Sequence, residues 1–462
     1  MRTSVRLLLI LAALLLIVGG QLAFAGGTSE SKTTAGAVGQ PYGADVGKWL
    51  SYVRDNYGGT TVTFAATRHP AVDAMQAMTD EFTRLTGITV KYDIIEEGYL
   101  RNKLLIEAQG HTGAYDVLLL DSFSLAEYAP ANVAADLKPF LDNASMTPAS
   151  YGYNDIVPAY RKGIGMYNGV VYGIPVAGET RYVGYRTDLF QKYGKQPPKT
   201  MDDLLNLAKF FKGKEKDLYG IAMRAQKGIH FASGWMTTMY QNGGQFLDQK
   251  TWKVLVNSPG TVYSLEYYVD LLNQGPPDIS VYTHEEAESA FALGKTAMWF
   301  DSTALTPWIL DTSKSLVADK VGFVPPPSGR AGAYGALAGW DVGLSPDAKK
   351  KNQEAGWAFI VWMTSQIKAK DYVKQGGTPV RESVYSDPEL VKQNWTFPIQ
   401  LESLGRAANL VNDGILWLAP HPKFLKVIEV AGNYGSQVLV GQLQAKPAMD
   451  IAQGEVEKIM SE

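Results

Sequence analysis

The sequence predicts an α/β protein of two lobes joined by crossing strands. Three observations carry this. Short strand-like runs alternate with amphipathic helices, the pattern of sheets flanked by helices. The almost purely apolar run 115–120 suits a parallel strand covered on both faces, so each sheet is expected to be mostly parallel. Finally, the chain passes twice through small-residue bends that carry charged or aromatic residues, at 168–194 and at 338–344. In the first bend, Pro175 is expected to stop a strand at 170–174, and a second alternating run, 182–185, leads into a helix-like 187–190. Glu179 and Arg181 lie at that crossing. A charged pair between lobes is a candidate ligand contact, with an inter-lobe salt bridge as the competing reading.

The elements follow in order. Arg2 and Arg6 precede an apolar run at 7–18 and an Ala23-Phe24-Ala25 cleavage site, so residues 1–25 read as a secretory signal peptide. A Gly/Ser/Thr/Ala-rich tract makes 26–55 a flexible leader and the start of the mature chain. Strands are expected at 60–65, 88–95 and 115–120, with helices at 72–85 and about 100–108 between them. The loops after these strands hold Arg68 and His69, Glu96 to Tyr99, and Asp121 to Phe123; open α/β sheets bind ligands at such ends.

Beyond the first crossing, 201–211 reads as a helix capped by Thr200 with Asp203 three residues on. A strand at 219–223 ends at Arg224, and Trp235 and Tyr240 fall in a helix within 228–246. Helices at 264–275 and 285–293 precede a strand at 296–300 and Asp301. A strand at 321–324 meets three prolines, and the second crossing brings Trp340 and Asp341. After a helix at 352–364, the turn 376–381 is expected to expose Arg381. The lobes are therefore placed at 56–175 plus about 345–405, and at 176–344 plus about 406–462.

Composition and motifs exclude several function classes. With 46% hydrophobic and 19% charged residues the 462-residue chain is ordinary globular protein. Without Arg2 and Arg6 its formal charge moves from −3 to −5 (41 basic against 46 acidic residues), which argues against nucleic acid as a partner. There is no cysteine, hence no disulfide, thiolate metal site or lipidated cleavage site, and a free periplasmic protein fits best. None of the five histidines shares a zinc spacing with another, no nucleophile elbow occurs, and Gly294-Lys295-Thr296 precedes a strand-like run where a phosphate loop needs a helix. No cofactor or metal is expected. A glycosidase needs only two suitably spaced cleft carboxylates, so a secreted carbohydrate-active enzyme is the rival class.

The segment YGIPVAGETRYVGYRTDLFQKYG, 172–194, resembles the hinge of the extracellular solute-binding proteins, family 1, that serve carbohydrate ABC importers. Further anchors are YDVLLLDSFSLAEYA, LYGIAMRAQKG, GKTAMWFDS, LAGWDVGLS and GGTPVRESVYSDPEL, and with EEGYLR and NQGPPDIS they are similar to the mannitol- and sorbitol-type branch. The resemblance spans roughly Thr60 to the C-terminus. It implies a type II periplasmic-binding-protein fold, a sugar or sugar alcohol trapped between the lobes, a monomer, and delivery to a membrane permease whose partner subunit hydrolyses ATP. It places Glu179 as the hinge acid, Asp301 after the AMW strand, and Trp340 as a stacking platform, with Trp299 and Trp235 as further aromatic candidates. For Trp299, set among apolar neighbours, a core role competes. Arg68, Glu97, Asp121, Arg181, Arg224, Asp341 and Arg381 complete the expected contacts, with His69 where the branch often has Asn.

Overall fold

The computed structural model describes residues 42–462, so the expected signal peptide and most of the leader lie outside the described residues. The leader ends earlier than its composition suggests. α1 (Ala44–Tyr57) places Val46, Trp49, Leu50, Val53 and Tyr57 on one helical stripe, and that stripe is buried.

Two hydrophobic cores define two lobes. The first lobe carries a five-stranded sheet in the order β2-β1-β3-β11-β6: β1 (Thr61–Ala66), β2 (Thr89–Ile94), β3 (Val117–Asp121), β6 (Ile174–Glu179) and β11 (Ala338–Leu344). α2 (Pro70–Thr86) and α3 (Glu97–Gly110) connect its first three strands, and a small hairpin, β4 (Met166–Tyr167) and β5 (Val170–Val171), precedes β6. The second sheet runs β10-β7-β9-β8: β7 (Arg181–Arg186), β8 (Tyr219–Ala222), β9 (Thr296–Ser302) and β10 (Val321–Val324). Strand sense is mixed and not mostly parallel. β1 pairs in parallel with β2 and β3, and β8 with β9, whereas β6, β7 and β11, which bring the chain to or from a crossing, pair antiparallel.

The crossings sit slightly apart from their expected places. Pro175 does not end its strand. β6 is the sheet edge, where a missing N–H is tolerated, and Pro175 lies opposite Asp341 at a register shift, so the strand continues to Glu179. Residues 176–179 and 338–344 thus belong to the first lobe's sheet. The chain changes lobe around Thr180 and again just before β11. At the β6–β11 pairing Gly178 faces Gly339, and a side chain on either would strike the Tyr160 ring or the Ala177 carbonyl. The helix Phe397–Asn412 makes a third link, since Phe397 lies in the first core and Leu410 in the second.

Two buried charges outside the cleft lead to predictions. Arg381 is not exposed by its turn but 1% accessible. Its Nε donates to the Thr364 carbonyl (2.9 Å), and its Nη groups donate to the carbonyls of Tyr151 and Gly152. It ties three segments of the first lobe together. Arg381→Lys cannot reproduce this fork and is expected to cost about 1–3 kcal/mol in urea unfolding, with ligand affinity unchanged.

Glu288, 7% exposed on the helix His284–Ala292, has its carboxyl pushed up to about 7 by burial, from an ordinary value of 4.5. A raised folded-state value means its contribution is full below about 4.5 and is lost as pH rises through about 7. Glu288→Gln is therefore expected to match the wild type at pH ~4 and exceed it by about 2 kcal/mol at pH ~8 in the same assay.

Candidate functional site

The strand ends of both sheets converge on the cleft between the lobes. β1 leads to His69, which caps α2: its Nδ1 accepts from the Ala71 N–H (3.1 Å), so the proton resides on Nε2. That Nε2 lies 3.2 Å from Glu179 Oε1 at the end of β6. Ser302 Oγ, at the end of β9, donates to Glu179 Oε2 (2.5 Å). β2 leads to Glu96, which caps α3 by accepting from the Tyr99 N–H (3.0 Å), and the next residue, Glu97, points its carboxylate at Arg101 one turn on. Arg101 also donates to Asp121 at the end of β3. From the second lobe come Arg181 at the start of β7, Arg224 just beyond β8, and His284 at the first turn of its helix.

These residues wall a chamber with Ser122, Phe123, Leu305, Ala338, Gly339 and Trp340. The chamber is narrow in this closed form, with a volume of about 20 Å³. The Trp340 ring borders it, 5.9 Å from the His69 ring centroid.

The charges are interlocked. Burial alone would raise the Glu179 carboxyl, but the His69 ring, the Arg181 guanidinium and the Ser302 hydroxyl hold it below the usual range. Glu97 is likewise held well below it against burial, by Arg101, His284, His230 and Arg224. Burial pushes Asp121 up despite Arg101. His284 Nδ1 lies 3.3 Å from Glu97 Oε2, yet burial dominates and lowers the ring to about 4, so it is neutral at neutral pH. The chamber therefore presents fixed acceptors and fixed donors side by side. Hydroxyl groups, which donate and accept at once, match such an array.

Of the residues expected from the sequence, the structure brings His69, Glu97, Asp121, Glu179, Arg181, Arg224 and Trp340 to the chamber wall. Asp301 stands behind it. It accepts from Arg181 Nη1 and Arg224 Nε, both at 2.7 Å, and so aims the two guanidiniums. Arg68 sits at the cleft mouth, donating to Glu285 of the other lobe (2.7 Å), with its guanidinium over the Trp308 ring. Four expected contacts fall elsewhere. Trp235 is in the second core, donating to Ser264 Oγ (2.9 Å), and Trp299 is in the same core, stacked on Phe291. Asp341 faces away because neighbouring strand residues point to opposite sides; it is wholly buried, and burial lifts its carboxyl well above the usual range. Arg381 is the first-lobe tie described above.

Arg101 and His284 were not singled out from the sequence. Arg101 carries a usable signal, its i+4 spacing from Glu97, but only once the helix expected at about 100–108 is started at Glu97, where the structure begins it. His284 carries none. Among the described residues no cluster of three or more acidic or histidine groups is placed to hold a metal ion, and no helix is long and apolar enough to cross a membrane.

Comparison with known proteins agrees with this geometry. Residues 65–370 match the bacterial extracellular solute-binding protein family. The chain is 28% identical over 344 residues to the erythritol/L-threitol-binding protein of Mycolicibacterium smegmatis, covering 71% of this chain and 72% of that one. It is 27% identical over 414 residues to the mannitol-binding protein of Pseudomonas aeruginosa, covering 86% and 92% respectively. In three dimensions it is similar to an ABC transporter solute-binding protein from Agrobacterium radiobacter K84 crystallised with ribitol, with a TM-score of 0.81 and 28% identity over 87% of this chain and 99% of that one.

Proposed function

The chain belongs to the bacterial extracellular solute-binding proteins, and from that premise we propose that it is the receptor of an ABC importer for a short sugar alcohol or a similarly small sugar. As a member of that family it is a binding protein and not an enzyme, and it works outside the cytoplasmic membrane. We place it in the periplasm, released by cleavage after residue 25. The observation that carries the ligand class is the small chamber itself, whose wall combines the carboxylates of Glu97, Asp121 and Glu179 and the guanidiniums of Arg101, Arg181 and Arg224 with Trp340. Its relatives named for erythritol, threitol and mannitol, and the ribitol-bound structure, point to the same class.

Capture proceeds by lobe closure. Rotation about the crossings at Thr180 and before β11 brings Arg181, Arg224 and His284 onto a ligand held by Glu97, Asp121, Glu179 and Trp340. Contacts at the cleft rim hold the closed form: Arg68 with Glu285, and Trp308 Nε1 donating to Asp73 Oδ2 (3.2 Å). The ligand favours closure only by its differential affinity for the closed form. The closed protein then docks on a permease, and a separate subunit supplies ATP hydrolysis.

The test is a thermal-shift panel of alditols, monosaccharides, oligosaccharides and amino acids, with recovered ligand analysed for chemical change. An alditol or monosaccharide that raises Tm and is recovered intact supports the proposal. Turnover of a saccharide would instead favour a secreted carbohydrate-active enzyme. Within the panel, Trp340→Ala is expected to weaken the best ligand about tenfold; unchanged affinity would remove Trp340 as a stacking platform.

A further inference from the structure

The chamber is not the only space in the cleft. A second one, open to solvent, has a volume of about 860 Å³. Its outer walls include Tyr99, 73% exposed, Ile94, 47% exposed, and Lys227. The two spaces share three residues in their walls: Glu97, Arg101 and His284.

We infer that Glu97 and His284, meeting across the cleft, form a partition that sets the length of ligand the closed protein accepts. This rests on the polyol reading above and deepens it. Glu97 comes from the first lobe and His284 from the second, so closure itself builds the wall. Each side is braced. Glu97 is held by Arg101, which Asp121 holds in turn. The His284 ring lies nearly parallel to Trp308 (16°, centroids 6.5 Å apart), and the His230 ring centroid is 6.2 Å from its own. Both wall residues are nearly sealed from solvent, at 8% and 5% exposure.

The wall is also unsaturated. Among the described residues, the buried Arg101 Nη1 and His284 Nε2 have no hydrogen-bond partner. Buried donors and acceptors left unpaired are costly, and a terminal ligand hydroxyl reaching this end of the chamber satisfies them. A longer chain ending there instead collides with the partition. On the far side lies room for further sugar units, so a smaller residue in the wall joins the two spaces.

The experiment is calorimetric titration of wild type, His284→Ala, Glu97→Ala and the volume-conserving His284→Gln with erythritol, ribitol, mannitol and the disaccharide alcohol maltitol. Circular dichroism first establishes that each variant is folded. Glu97→Ala opens the wall from the other lobe and serves if His284→Ala does not fold. The wild type is expected to bind at least one short alditol and to reject maltitol. His284→Ala and Glu97→Ala are expected to lose about tenfold or more for the short alditol and to gain at least as much for maltitol relative to it, while His284→Gln keeps the wild-type order. A wild type that binds maltitol as tightly as the alditols, or variants that weaken every ligand in parallel, would overturn the partition while leaving the receptor reading intact. A wild type that binds nothing in the panel would sink the polyol reading, and the partition with it.

Discussion

Asp301→Ala is expected to lower folding stability by about 3–5 kcal/mol, the largest loss for any single cleft substitution. Asp301 is 2% exposed and lies between two guanidiniums that, among the described residues, have no other carboxylate within salt-bridge distance. Two attractive contacts at 2.7 Å offset the desolvation of three charges. Its Oδ1 also accepts from the Ser302 N–H (2.7 Å). Remove the carboxylate and two like charges stay buried beside each other, with Arg181 left only its Ser233 bond and its place over the Trp417 ring. Asp301→Asn keeps the shape and one acceptor, so it falls between the two. Urea unfolding at neutral pH gives both numbers. A loss below about 1 kcal/mol for Asp301→Ala would mean that water reaches the arginines and that the network is not the scaffold described here.

Glu179→Ala is expected to weaken the ligand by about 2–3 kcal/mol, roughly 30- to 150-fold in Kd, because a buried, ionised acceptor is lost from the chamber wall. The competing reading, a plain inter-lobe ion pair with Arg181, does not match the contacts. Arg181 bonds Asp301 and Ser233, while Glu179 turns to His69 and Ser302. Glu179→Gln keeps one acceptor oxygen and is expected to lose about tenfold. Since its carboxyl is held below the ordinary range, Glu179 remains ionised through neutral and mildly acidic pH, and its contribution to affinity is flat there. It falls away only as pH drops through that depressed value. Titration of the best ligand at pH ~7 and ~5.5 checks that the contribution is flat over that range.

Much of this architecture was legible in the sequence, and the failures have physical causes. The Thr200–Asp203 capping box, the helix Met201–Phe211 and the strand β10 fall where pattern and caps place them, whereas 338–344, which reads as a crossing, is a central strand of the first sheet. So do the loops after β1, β2 and β3, because a parallel sheet puts its carboxyl ends on one edge. What sequence could not supply was depth. The letters alone do not separate Trp235, Trp299 and Trp340, although the resemblance favours the last. Only packing sends the first two into a core and leaves the third beside the chamber. Arg381 reads as an exposed turn residue until the distant carbonyls of Tyr151, Gly152 and Thr364 are brought around it. Pro175 reads as a strand end until the strand proves to be a sheet edge. His284 gains its role from Glu97 in the other lobe, a pairing that no local spacing encodes.

On the proposed function, the closed cleft holds one small, neutral, polyhydroxylated molecule. Isothermal titration of erythritol, ribitol and mannitol, alongside representative amino acids, into the wild-type protein tests it most directly. One-to-one binding of at least one alditol is expected, with no heat from the amino acids. Amino-acid binding with all three alditols silent would contradict it.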